Sequence, residues 1–112
     1  MKIEGTGKLL RIFIGESDRI NGQLLYEAIV HKAHEMNMAG VTVLRGIEGF
    51  GAASRIHRAK ILRLSEDLPI VIELADTESR MKEAIAAFEE MIESSGAGVL
   101  MTLEKVEIIR YH

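Results

Sequence analysis

Met81, Ala84, Ile85, Phe88, Met91 and Ile92 recur at steps of three and four residues and form the cleanest apolar stripe in the chain. They predict a helix over Glu78–Glu93 with one face that must be buried, and Asp76 and Thr77 ahead of it are both good capping residues. Just upstream, Pro69 opens a β-rich run, Ile70–Leu74, and proline is tolerated at a strand start. A one-sided helix directly after an apolar strand predicts a helix lying on a sheet.

The same pattern stands earlier in the chain. Lys8–Ile14 alternates, with Leu10, Ile12 and Ile14 on one face and Leu9, Arg11 and Phe13 on the other, and reads as a strand. Glu16–Asn21 is polar and reads as a loop, with Asn21 placed to cap a helix over Gly22–Met38. Leu25, Ala28, Ile29, Ala33 and Met36 give that helix its stripe, and Gly40 is the expected stop. Val41–Leu44 reads as the next strand. After the second helix, Ser94–Gly98 is a break, and Val99–Leu103 and Val106–Tyr111 carry the last strand signals. The order is β-α-β-β-α-β plus a short terminal strand. This predicts an α+β ferredoxin-like sandwich: an antiparallel sheet with both helices on one face. With 112 residues and no linker or repeat, the chain is expected to be one domain, residues 1–112.

Composition narrows the chemistry. There is no cysteine, so disulfides, thiolate metal sites and cysteine nucleophiles are excluded. A net charge of −3 gives no long-range attraction to nucleic acid. No run approaches a membrane span or a secretory signal, so no membrane insertion is expected and the cytoplasm is the expected compartment.

Three groups of residues could carry function. Arg45-Gly46-Ile47-Glu48-Gly49-Phe50-Gly51 is glycine-rich, which lets backbone N–H groups surround an anion, or simply allows a turn with positive φ. It is neither a P-loop nor a dinucleotide fingerprint. Arg55, His57, Arg58, Lys60 and Arg63 form a basic run suited to phosphate or an acidic partner, or a solvated loop face. His31 and His34 lie three apart on the first helix; they could share a metal, but no third ligand is evident. Ser17, Ser54 and Ser65 lack a nucleophile-elbow context, so no catalytic residue is assigned.

Three segments together resemble the PII-like (GlnB-like) signalling proteins: Gly15-Glu16, Ala39 through Gly51, and Leu64-Ser65-Glu66-Asp67-Leu68-Pro69 running into Ile72-Glu73. A Gly-Phe-Gly after strand two, a long basic loop and Leu-Pro before strand three match the layout around the T-loop of that family. The similarity extends from Lys8 to Arg110. It implies a homotrimer with an adenine nucleotide in the cleft between subunits. It also implies a regulator rather than an enzyme, signalling through a flexible loop at about 51–65 to a partner such as a membrane transporter or channel. The implied nucleotide contacts are Gly46, Gly49, Phe50, Gly51, Glu73, Gly96, Gly98, Val99 and Arg110, with Arg55, His57, Arg58, Lys60 and Arg63 on the partner loop.

Two departures from the family matter. Gly96-Ala97-Gly98-Val99 stands where the family has Gly-Asp-Gly-Lys, and Ile70 stands where a lysine follows Leu-Pro. Both remove charge that would neutralise a polyphosphate, so ADP, AMP, ATP and cyclic AMP all stay open. The loop from Gly51 to Ser65 also has no tyrosine, the residue that uridylylation would need. Two rivals share the fold plan: a CutA-like trimeric metal-binding protein, and a small phosphate-directed enzyme.

Overall fold

In the computed structural model, the structure describes residues 2–51 and 67–112. Eight elements follow in order: β1 (Gly5–Gly15), β2 (Arg19–Ile20), β3 (Gln23–Leu24), α1 (Leu25–Glu35), β4 (Thr42–Arg45), β5 (Pro69–Asp76), α2 (Glu78–Ser95) and β6 (Leu100–Ile108). Four strands form one sheet in the order β4-β5-β1-β6, and every neighbouring pair is antiparallel.

Alternation decides which side of the sheet the helices cover. Leu10, Ile12 and Ile14 of β1 pair with Leu74, Ile72 and Ile70 of β5, and all six are buried. They pack against Leu25, Ala28, Ile29 and Ala33 of α1 and Met81, Ala84 and Phe88 of α2. Phe88, Met81 and Ala84 are fully enclosed, as the stripe on α2 requires. Among the described residues the other face has no helix. The register draws an apolar row straight across it, Leu44–Val71–Phe13–Leu100, with Leu44 49% and Leu100 56% exposed.

The helix ends differ from the sequence expectation in instructive ways. Thr77 does cap α2, its Oγ1 accepting from the Arg80 N–H, and Gly96 closes it at φ 73°. Asn21 does not cap α1. Asn21 and Gly22 take φ 47° and 84°, and they form the two-residue turn joining β2 to β3. Asn-Gly is the favoured pair for such a turn because both residues must tolerate positive φ. The expected polar loop is therefore a small hairpin, and α1 starts after it, at Leu25. Gly40 does not stop α1 either. Asn37 is left-handed at φ 57°, its N–H donates to the His34 carbonyl, and the Met38 N–H donates to the Ala33 carbonyl. That is a Schellman closure, with asparagine in the usual place of glycine.

The two terminal strand signals are one strand. β1 starts at Gly5, three residues before the expected Lys8, so Ile108, Glu107, Val106 and Lys105 find partners at Gly5, Thr6, Gly7 and Lys8. Pairing thus runs unbroken through Glu104 and Lys105.

Candidate functional site

One end of the sheet gathers the C-terminal ends of β1 and β4 and the N-terminal ends of β5 and β6, because Gly15 pairs with Pro69, Arg45 with Ile70 and Phe13 with Leu100. Both glycine-rich segments emerge there. The turn after β4 is built on Pro69. The Gly46 N–H donates to the Pro69 carbonyl at 2.7 Å. A Cβ on Gly46 would stand 2.8 Å from Pro69 Cγ, and one on Gly49, at φ 155°, 3.2 Å from it. The glycine turn and Leu68-Pro69 are thus one packed unit, which gives their co-occurrence in the sequence a physical cause. A Cβ on Gly51 would meet no atom of the described residues within 4 Å. Ile47 and Phe50 are 91% and 82% exposed.

Carboxylates flank this turn. Glu16, the residue after β1, donates its N–H to the Leu68 carbonyl at 2.9 Å. Its Oε2 accepts from the Arg45 guanidinium, and its Oε1 is buried with no hydrogen-bond partner among the described residues. Asp18 Oδ2 accepts from the Gly15 N–H at 2.8 Å. Asp67 Oδ1 accepts from the Ser17 hydroxyl at 2.8 Å and its N–H at 3.2 Å. Burial pushes the Asp18 carboxyl above its ordinary value; the Gly15 N–H opposes the shift and the Asp67 charge adds to it.

The other candidates lie apart from this turn. Gly96, Gly98 and Val99 link α2 to β6 at the same end of the sheet, but on the opposite edge from β4. Three strand spacings, about 14–15 Å, separate the two edges. Arg110 follows β6 at the far end, past a strand roughly 27 Å long. Glu73 lies on the helix-free face, where Arg11 Nε donates to it at 2.9 Å and Arg11 Nη1 donates to Glu104 at 2.6 Å. Those two bonds, Glu73 first, hold the Arg11 guanidinium above its ordinary value. Arg55, His57, Arg58, Lys60 and Arg63 lie outside the described residues.

His31 and His34 are on α1, and among the described residues no group of three or more His, Cys, Asp or Glu side chains is placed to hold a metal. His31 lines an open groove of about 310 Å³ on the helix side, with Ile20, Ala28, Lys32, Glu35 and Met91. None of the implied nucleotide contacts is in that groove. No helix among the described residues is long and apolar enough to cross a membrane.

Sequence reasoning places Gly15-Glu16 and Asp67 in characteristic segments but gives them no role. It misses the Arg45–Glu16 and Ser17–Asp67 contacts, which join residues 29 and 50 positions apart. The only available signal is polar residues beside strand ends.

The fold is that of the PII-like proteins. CPII from Thiomonas intermedia K12, solved bound to ADP, AMP and acetate, superposes with a TM-score of 0.65 at 14% identity, over 95% of this chain and 91% of that one. A PII-like signalling protein from Thermus thermophilus, TTHA0516, gives 0.64 at 17% identity, over 94% and 90%. Sequence comparison gives the particular family. The chain belongs to DUF190 (uncharacterized ACR, COG1993), whose model matches residues 7–108. A UPF0166 protein of Aquifex aeolicus (strain VF5) is 38% identical over 102 residues, 91% of this chain and 92% of that relative.

Proposed function

We propose that this protein is a cytoplasmic PII-like regulator, not an enzyme, that binds an adenine nucleotide between the subunits of a homotrimer. It signals through the segment at about 51–65 to a partner protein, such as a membrane transporter or channel. The observation that carries this reading is the split of the glycine segments. Gly46–Gly51 and Gly96–Val99 share one end of the sheet but occupy opposite edges. Within one chain three strand spacings part them, whereas a neighbouring copy that sets its β4 edge against this chain's β6 edge would bring one of each together. Arg110, at the far end of β6, joins such a site only from a second copy.

Two further observations support assembly. Among the described residues β4 and β6 are edge strands with no further strand on their outer sides, which association can cover. The apolar row Leu44–Val71–Phe13–Leu100 lies open on the helix-free face. A ligand of this class is supported by CPII, the same fold solved with ADP and AMP. The ligand here is ADP, AMP, ATP or cyclic AMP.

The test is mass analysis of whatever is released when purified protein is denatured, followed by calorimetric titration with the four nucleotides. Light scattering runs in parallel. Binding of at least one nucleotide by a trimer is expected. A monomer at micromolar concentration, or no heat with any of the four, would sink the reading.

A further inference from the structure

Among the described residues, Glu16 is the carboxylate at the glycine end with a buried oxygen that has no donor. Arg45 engages Oε2, and Oε1 is buried with no donor among the described residues. A buried acceptor without a donor costs free energy, and native proteins rarely keep one without a use for it. The side chain as a whole keeps 16% of its surface open, so it lies in the wall of the surface, within reach of an incoming group.

The surroundings decide what that group can be. Asp18 and Asp67 stand beside it, and among the described residues the cation that Glu16 meets, Arg45, is already paired with it. Three carboxylates around one cation repel a phosphate and favour a hydrogen-bond donor. Position supplies the next constraint. Arg45 is followed directly by Gly46, so Glu16 stands beside the backbone that could hold phosphate. In a nucleotide the ribose is the donor-bearing group bonded to the phosphates, and the adenine amino group lies farther away. Carboxylates are suited to ribose hydroxyls because these donate to a charged acceptor without bringing a competing negative charge.

We propose that Glu16 reads the sugar of the bound nucleotide: with Arg45 holding one carboxylate oxygen in place, the other accepts a hydrogen bond from a ribose hydroxyl. This rests on the nucleotide reading above and adds to it a residue and a specificity, for ribonucleotides over deoxyribonucleotides. Arg45 is a positioning residue in this scheme, since it acts through Glu16.

The experiment is calorimetric titration of the wild type with ADP, 2′-deoxy-ADP and 3′-deoxy-ADP, repeated with Glu16→Ala and Glu16→Gln. On the wild type, one of the deoxy ligands is expected to bind about tenfold more weakly than ADP, or worse. Glu16→Ala is expected to bind all three alike, at the weaker level. Equal affinity of the wild type for ADP and both deoxy ligands overturns the proposal, and needs no variant to fold. Retained discrimination in Glu16→Ala also overturns it, whereas Glu16→Gln, which keeps an amide oxygen able to accept, is expected to retain part of it. If the wild type binds no adenine nucleotide, the function itself fails, an outcome seen before any variant is made.

Discussion

The two ends of the sheet each bury a carboxylate, and they treat it in opposite ways. At the far end Asp76 is completely enclosed, and every bond it needs is made. Its Oδ1 accepts from the Thr77 N–H at 2.7 Å and Arg80 Nε at 3.0 Å, and its Oδ2 from the Ala39 N–H at 2.9 Å. Arg80 continues to the Asn37 carbonyl, and the Tyr111 hydroxyl donates to the Ala39 carbonyl. The end of β5, the start of α2, the α1–β4 connection and the C-terminal tail are tied together there. At the glycine end Glu16 has one oxygen held and one without a donor among the described residues, and Asp18 is held above its ordinary value. A saturated network fixes a fold; an unsaturated one keeps capacity for a ligand. The contrast separates structural carboxylates from candidate functional ones without reference to any relative.

The largest effect is expected for Asp76→Ala. It leaves Arg80 without its buried partner and two backbone N–H groups without an acceptor. With Arg80 still partly solvated, the loss is expected to be about 3–4 kcal/mol by chemical denaturation. Discrimination between ADP and its deoxy analogues should be unchanged in the folded fraction, because no bond of this network among the described residues reaches Glu16. A loss under about 1 kcal/mol, or lost discrimination, would show that the two ends do not divide the work in this way.

The glycine turn offers a smaller effect. Gly46→Ala places a Cβ 2.8 Å from Pro69 Cγ and 3.4 Å from the Pro69 carbonyl oxygen. The turn must move off Pro69, at an expected cost of about 1–2 kcal/mol. Gly40→Ala is the control: among the described residues its Cβ meets no atom within 4 Å, and stability should stay within about 0.5 kcal/mol of wild type. If both variants melt alike, Pro69 is not what shapes the turn.

How much of the molecule is legible in the sequence depends on how local each cause is. The stripe on α2, the Thr77 cap and the alternation in β1 are read from neighbouring residues, and all three stand in the structure. Asn21 misleads because asparagine serves both a helix cap and a hairpin turn; the deciding partner is the next residue, Gly22. Gly40 draws the eye away from Asn37 because glycine is the commoner left-handed closer. Glu104-Lys105 looks like a strand break, yet an edge strand tolerates charge as long as its inner edge is paired. The Glu16–Arg45 contact is out of reach: it depends on β1 and β4 ending on one side of the sheet, flanking β5, which no spacing along the chain reveals. Glu73 illustrates the same limit, since its Arg11 partner is fixed by the β1–β5 register.

The smallest effect expected is at Asp18, and it probes the unsaturated end through pH. Burial raises the folded-state value of this carboxyl, with the Asp67 charge contributing, so over the affected range the folded chain binds more proton than the unfolded one. Stability then falls as pH rises. The favourable contribution is complete below the ordinary value of 3.8 and is lost as pH passes upward through the folded-state value. At neutral pH Asp18 is therefore charged at a cost. Asp18→Asn removes that cost while keeping an amide oxygen to accept from the Gly15 N–H, so it should be slightly more stable than wild type near neutral pH. The advantage should shrink as the pH is lowered and vanish below about 3.8. Urea midpoints of both proteins, followed from acid to neutral pH, would show it. A variant less stable near neutral pH would mean that the charged Asp18 is held by favourable bonds, as Asp76 is, and the two ends of the sheet would no longer differ in kind.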